Sequence, residues 1–182
     1  MIHNPMDIEE LRQSYRPAEV RVLLVGESPP AGDTFFYDGN SNLAKYTKDA
    51  FCNAYSKSSM KMPFFLDAFK AAWCYLDDLC LEPVNHLKPG DPRRIAARNN
   101  GIDSLANRLD SMSSQLRAII PVMVAIRPHV IAATQAAGLS RLLKPALPFP
   151  IPNRHDARYV AELSRLIAEL REASILPLQF GS

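Results

Sequence analysis

Val22, Leu23, Leu24 and Val25 follow one another without a polar interruption and run directly into Gly26 and Glu27. A strand with one wet face alternates apolar and polar residues, whereas an unbroken apolar run marks a strand covered on both faces, as in a parallel sheet flanked by helices. The rest of the chain fits that reading. A first helix is expected near residues 7 to 15, the strand at 20 to 25, and helices through Leu43–Phe51 and Phe64–Cys74, the former capped by Asn40 or Ser41. A second strand is expected over 75 to 84, ending at Pro83, followed by a long, partly irregular connection, "NHLKPGDPRRIAARNNG". Ile102, Leu105, Leu109, Met112, Leu116 and Ile119 recur at helical spacing, and Pro121 should break or kink that helix. "VMVAIRP" then reads as a second helical piece, "HVIAAT" (129 to 134) as a third strand, "ALPFP" as a fourth, and Val160–Leu170 as the closing helix. The expectation is one α/β domain over 1–182.

Composition narrows the function. Twenty-one Lys and Arg against nineteen Asp and Glu leave the chain nearly neutral, which argues against a polyanion-coating protein but permits a local basic groove. Cys52, Cys74 and Cys80 lack paired metal-ligand spacing, so neither a disulfide framework nor a zinc or iron–sulfur site is expected. The start, "MIHNPMDIEEL", has no basic-then-apolar signal pattern, and no apolar run approaches the roughly 20 residues that span a bilayer. A cytoplasmic chain without membrane contact or a cysteine metal site is the resulting expectation, and a monomer is the simplest assembly.

Parallel sheets bind ligands beyond the carboxyl ends of their strands. That rule selects "GESPPAGDTFFY", "LEPVNHL" and "PFPIPNRHD". The first has no phosphate-cradling glycine pattern and no nucleophile elbow around Ser28, so nucleotide hydrolysis and serine hydrolysis lose ground. It does offer a carboxylate, Glu27, a backbone stiffened by Pro29 and Pro30, and the rings of Phe35, Phe36 and Tyr37. An acid beside a flat ring suits a purine or pyrimidine. Lys88, Arg93, Arg94, Arg98, Arg154 and Arg158 could line a groove that tracks phosphates.

"LLVGESPP", followed by aromatics and an Asn/Ser helix start, resembles the first motif of the uracil-DNA glycosylase superfamily, in a branch without iron–sulfur cysteines. The resemblance implies a three-layer α/β/α sandwich around a mostly parallel four-stranded sheet. It also implies DNA, single- or double-stranded, as partner, and hydrolysis of the N-glycosidic bond of a deaminated or damaged base such as uracil, with no cofactor. Carried onto this sequence, it makes Glu27 the catalytic anion or water-orienting base, and His155 or Asn153 a donor before the last helix. Ser28, Phe35 and Phe36 would contact the base. The base-reading position falls on Asp78 by distance into the strand or on Asn85 by side-chain type. Ser28 stands where the best-known branches have Asp or Asn, which keeps open a second reading: a nucleic-acid or nucleobase binding module with the fold but not the chemistry.

Overall fold

A computed structural model of the chain describes residues 5–181. It is an α/β fold with three parallel strands and six α-helices among the described residues. The apolar run forms β1 (Val22–Gly26), which sits between β2 (Cys74–Asp78) and β3 (Ala118–Pro121) in the order β2-β1-β3. Leu24 is level with Leu76 on one side and Ile120 on the other. Every residue of all three strands is buried, which is why their sequences do not alternate.

The helices are α1 (Pro5–Ser14), α2 (Asn42–Ala54), α3 (Met62–Ala71), α4 (Pro92–Ser111), α5 (Arg127–Ala136) and α6 (Asp156–Glu172). They include two packed pairs, α2 on α6 and α4 on α5. Ser41 caps α2 by accepting from the Ala44 amide, whereas Asn40 turns back, accepting from the Phe35 amide and donating to the Asp33 carbonyl. None of these helices is long and apolar enough to cross a membrane.

Several expectations need correction. "HVIAAT" is not a strand but part of α5, and the residues it buries, Val130, Ala133 and Thr134, are spaced three and four apart as a helix requires. The third strand lies earlier, because α4 ends at Ser111 and Ile119 belongs to β3, whose last residue is Pro121. The connection thought irregular is mostly helix: Asp91 caps α4 by accepting from the Arg93 amide, and Pro92 occupies the first turn, where no amide hydrogen is needed. Gly101 is tolerated inside α4 because a Cβ there would come within 2.5 Å of the Leu79 carbonyl oxygen. The second strand is also shorter than expected, although the Leu79 and Cys80 amides still bond to the carbonyls of Gly26 and Glu27.

The fourth strand is reduced to a contact. Leu143 bridges Ile119 in the parallel sense, and the amides of Lys144 and Leu147 donate to the carbonyls of Ile119 and Pro121 at 2.8 Å each. Pro145, Pro148 and Pro150 carry no amide hydrogen, so a longer ladder cannot form here. At the opposite edge the Tyr37 hydroxyl donates to the Leu76 carbonyl (2.9 Å) and accepts from the Leu76 amide (2.7 Å), closing the outer side of β2 at that residue.

Candidate functional site

Beyond the carboxyl ends of β1 and β2 lies a cavity of about 280 Å³. Glu27, Ser28, Phe35, Phe36, Asp78 and Asn85 all contribute to its wall, together with Gly26, Arg94, Met123 and Phe149. A larger trough of about 800 Å³ runs along α3 and residues 177–181, but none of the residues singled out from the sequence reaches it. The charged and aromatic groups converge on the smaller cavity, whose size suits a small ligand, since pockets for drug-sized molecules span roughly 300–1,000 Å³.

Glu27 is buried and held by two guanidinium groups from one face of α4, four residues apart. Arg94 donates Nε to Oε1 at 2.8 Å and Nη2 to Oε2, while its Nη1 reaches the Leu87 carbonyl at 2.6 Å. Arg98 adds Nε to Oε1 at 2.7 Å. Burial by itself would raise the Glu27 carboxyl, but the hydrogen bonds from Arg94 and Arg98 outweigh it and hold the group below the ordinary carboxylate range. Glu27 is thus an ionised, anchored acceptor. A general base that must take up a proton near neutral pH needs a raised value, so that role is the less suited to it. Arg94 faces Glu27 and the cavity, buried, instead of lying on an outer phosphate-tracking surface.

Asp78, at the end of β2, belongs to a second buried charge cluster. Arg12 from α1 donates Nη2 to Asp78 Oδ2 at 2.8 Å and Nη1 to Asp77 Oδ1 at 2.9 Å. Arg108 from α4 pairs with the other Asp77 oxygen and donates Nη2 to the Asp78 carbonyl at 2.8 Å. Burial pushes the Asp78 carboxyl up, against the pull of Arg12. Its Oδ1 lies where a Cβ on residue 26 would be, 2.3 Å away, so Gly26 is the residue that leaves room for it.

Phe35 and Phe36 are core residues whose exposed parts form the cavity's apolar wall. Phe36 packs edge-on to Tyr37 with centroids 5.0 Å apart, and Phe35 does the same at 5.6 Å. The Ser28 hydroxyl donates to the Pro29 carbonyl (3.0 Å) and accepts from the Val84 amide (3.2 Å), so it braces the turn and has no histidine partner among the described residues. Asn85 accepts from the Ala31 amide at 2.9 Å through Oδ1, which leaves its Nδ2 hydrogens available at the mouth.

The fourth loop delivers different residues from those expected. Asn153, with φ of 61°, and His155, which precedes α6 without a side-chain cap bond, are exposed and form no part of the cavity wall. Phe149 from the same loop is there instead. Arg93 is exposed and paired with Asp91, Arg158 is exposed and paired with Glu162, and Arg154 is exposed on the turn before α6. Sequence reasoning missed Arg12, Arg108 and Met123. The acid doublet Asp77–Asp78 at a strand end was the available signal for the two arginines, since buried carboxylates require cations. His129 on α5 was also missed; burial, then the nearby Arg98 charge, lower its pKa and keep the imidazole neutral at pH 7. No protein-family model matches the chain, and no curated protein matches it.

Proposed function

We propose that the cavity receives a single nucleobase drawn out of DNA and that the protein hydrolyses its N-glycosidic bond, as the resemblance to the uracil-DNA glycosylase superfamily implies. On this reading the segment 143–147 stands for the fourth strand of that superfamily's three-layer sandwich. The observation that carries the proposal is the convergence of Glu27, Phe35, Phe36, Asp78 and Asn85 on one cavity of about 280 Å³ at the strand ends.

Cleavage of the bond leaves both electrons on the base nitrogen and positive charge on the sugar; water then adds to the sugar carbon and loses a proton. The base therefore departs as an anion unless protonated. Arg94, Arg98 and Glu27 together carry one net positive charge, and Arg94 brings it into the wall, where a preorganised cation lowers the energy of the departing anion. A carboxylate offers about four lone-pair sites. On Glu27, Oε1 is taken by Arg94 Nε and by Nε and Nη2 of Arg98, whereas Oε2 meets only Arg94 Nη2, which leaves a site on Oε2 to orient the attacking water. Extruding the nucleotide costs a few kcal/mol of unstacking, least at mismatches and in single strands. Contact with Phe35, Phe36 and Phe149 returns part of it.

A second reading is favoured by one specific feature: both Glu27 oxygens are already bonded to arginines, as a purely structural anchor would be. The same cavity would then bind a base without cutting it. Incubating the protein with single- and double-stranded oligonucleotides containing uracil or hypoxanthine, then assaying free base and alkali-labile abasic sites, separates the two. Base release that falls about a hundredfold or more in Glu27→Gln supports hydrolysis. Salt-dependent DNA binding without base release from either substrate refutes it and leaves the binding module.

A further inference from the structure

Arg12 lies outside the cavity yet touches two of its walls. The side chain is buried, its guanidinium is bonded to Asp78 and Asp77, and its Cζ sits 5.7 Å from the centre of the Phe35 ring. We propose that Arg12 is a positioning residue that pins Asp78 with Oδ2 toward α1 and Oδ1 toward the cavity, so that the site selects heterocycles presenting a lactam or imide N–H. The inference rests on reading the cavity as a base site.

The guanidinium is a rigid planar fork, so two bonds to neighbouring carboxylates fix both at once. Asp77 cannot yield, because Arg108 holds its other oxygen from the far side. Asp78 Oδ1 accepts no hydrogen bond among the described residues, and it lies against Gly26, itself a wall residue. An ionised carboxylate only accepts, and Arg12, with Arg108 nearby, favours that form against the burial that pushes the carboxyl up. A ligand edge meeting Oδ1 must therefore donate, because an acceptor placed there leaves two buried acceptors unpaired. Two wall residues offer donors beside it: Asn85 through Nδ2, since its oxygen is taken by the Ala31 amide, and Arg94 through its N–H groups, while the Glu27 carboxylate in the same wall is the acceptor assigned to water. A fixed acceptor at Asp78 with these donors matches an N–H beside a carbonyl.

Two probes isolate the donor: 1-methyluracil, which keeps N3–H and carries a substituent where the sugar would be, and 1,3-dimethyluracil, which lacks it. Calorimetric titration of the wild-type protein should give binding about tenfold or more tighter for the first, because a site built around a hydrogen bond rejects the analogue without it. Arg12→Met combined with Asp77→Asn removes the pin while keeping the cluster neutral, and circular dichroism verifies that it folds. In that variant the ratio should fall to within about threefold, whereas Arg12→Lys, which restores a cation, should recover part of the discrimination. A wild-type ratio near one, or an unchanged ratio in the folded double variant, overturns the proposal. If either result accompanies base release from uracil-containing DNA, the role of Arg12 fails alone. If neither probe binds and no base is released, the base-site reading fails with it.

Discussion

Replacing Glu27 by glutamine tests the physical centre of the site independently of any substrate. Glu27 is the anion facing Arg94 and Arg98, whose side chains are only 9% and 10% exposed. The amide keeps one acceptor oxygen but turns its NH2 toward a guanidinium and leaves two buried cations without a counter-charge. Removing one partner of a buried pair typically costs about 3–5 kcal/mol. Against a total stability on the order of 5–15 kcal/mol, that is a large fraction. At roughly 2–4 °C per kcal/mol for a chain of this size, the melting temperature should drop by about 6–20 °C. Urea denaturation followed by circular dichroism measures the free energy, and the wild type supplies a second check through pH. Because the folded Glu27 carboxyl lies below its ordinary value of 4.5, its contribution is present above that value and is lost as pH falls through the folded one. The unfolded chain takes up that proton first. Below about pH 4.5 the gap in stability between wild type and Glu27→Gln should therefore shrink. A cost under about 1 kcal/mol at pH 7, or a gap that does not narrow in acid, would show that the two arginines do not depend on this carboxylate.

Two other substitutions probe the strands that carry the site. Gly26→Ala places a Cβ 2.3 Å from Asp78 Oδ1, so either the carboxylate or the strand must move; a loss of about 1–3 kcal/mol is expected, with weakened binding of 1-methyluracil by calorimetry. Tyr37→Phe removes the hydroxyl that serves both the amide and the carbonyl of Leu76, leaving buried backbone groups unpaired, and should cost about 1–3 kcal/mol in urea denaturation. A melting temperature unchanged by Tyr37→Phe would mean that water takes over at that edge.

The sequence was informative where burial and position speak the same language. The run Val22–Val25, valine at both ends and stopped by Gly26, reads as a doubly covered strand, and that placed Glu27 at a strand end beside the first loop. It was uninformative where a short apolar run fits two periods. Val130, Ile131, Ala132 and Ala133 read equally as a strand or as one face of a helix; Pro128 in the first turn and the packing of α5 on α4 select the helix. Arg94 and Arg98 were visible as basic residues, but they sit in a stretch rich in Pro, Gly and Arg that suggests a solvated connection. Only the long-range approach of α4 to the end of β1 turns them inward onto Glu27. His155 and Asn153 were nominated through the resemblance, and the loop that holds them contributes Phe149 to the cavity instead.

The two charge clusters also say something about what the fold alone would require. Asp77, Asp78, Arg12 and Arg108 balance to zero, while Glu27, Arg94 and Arg98 leave one positive charge, and all but Arg108 are buried. Well-packed apolar residues in place of a buried ion pair are often as stabilising or more so. A sheet so thoroughly covered has no need of seven charges at its carboxyl edge. Their arrangement is easier to understand from the cavity between them: one wall offers a fixed acceptor at Asp78, another a guanidinium held flat by Glu27, and the rings of Phe35 and Phe36 close the apolar side. Its charged groups are held before any ligand arrives, because Asp78 is tied to Arg12, Glu27 to Arg98 and Arg94 to the Leu87 carbonyl, all outside the cavity. The ordering cost that a flexible pocket meets on binding is therefore carried by folding. That division of labour predicts that ligand binding and global stability respond together to changes at Glu27, and separately to changes at Asn85, whose side chain is exposed at the mouth.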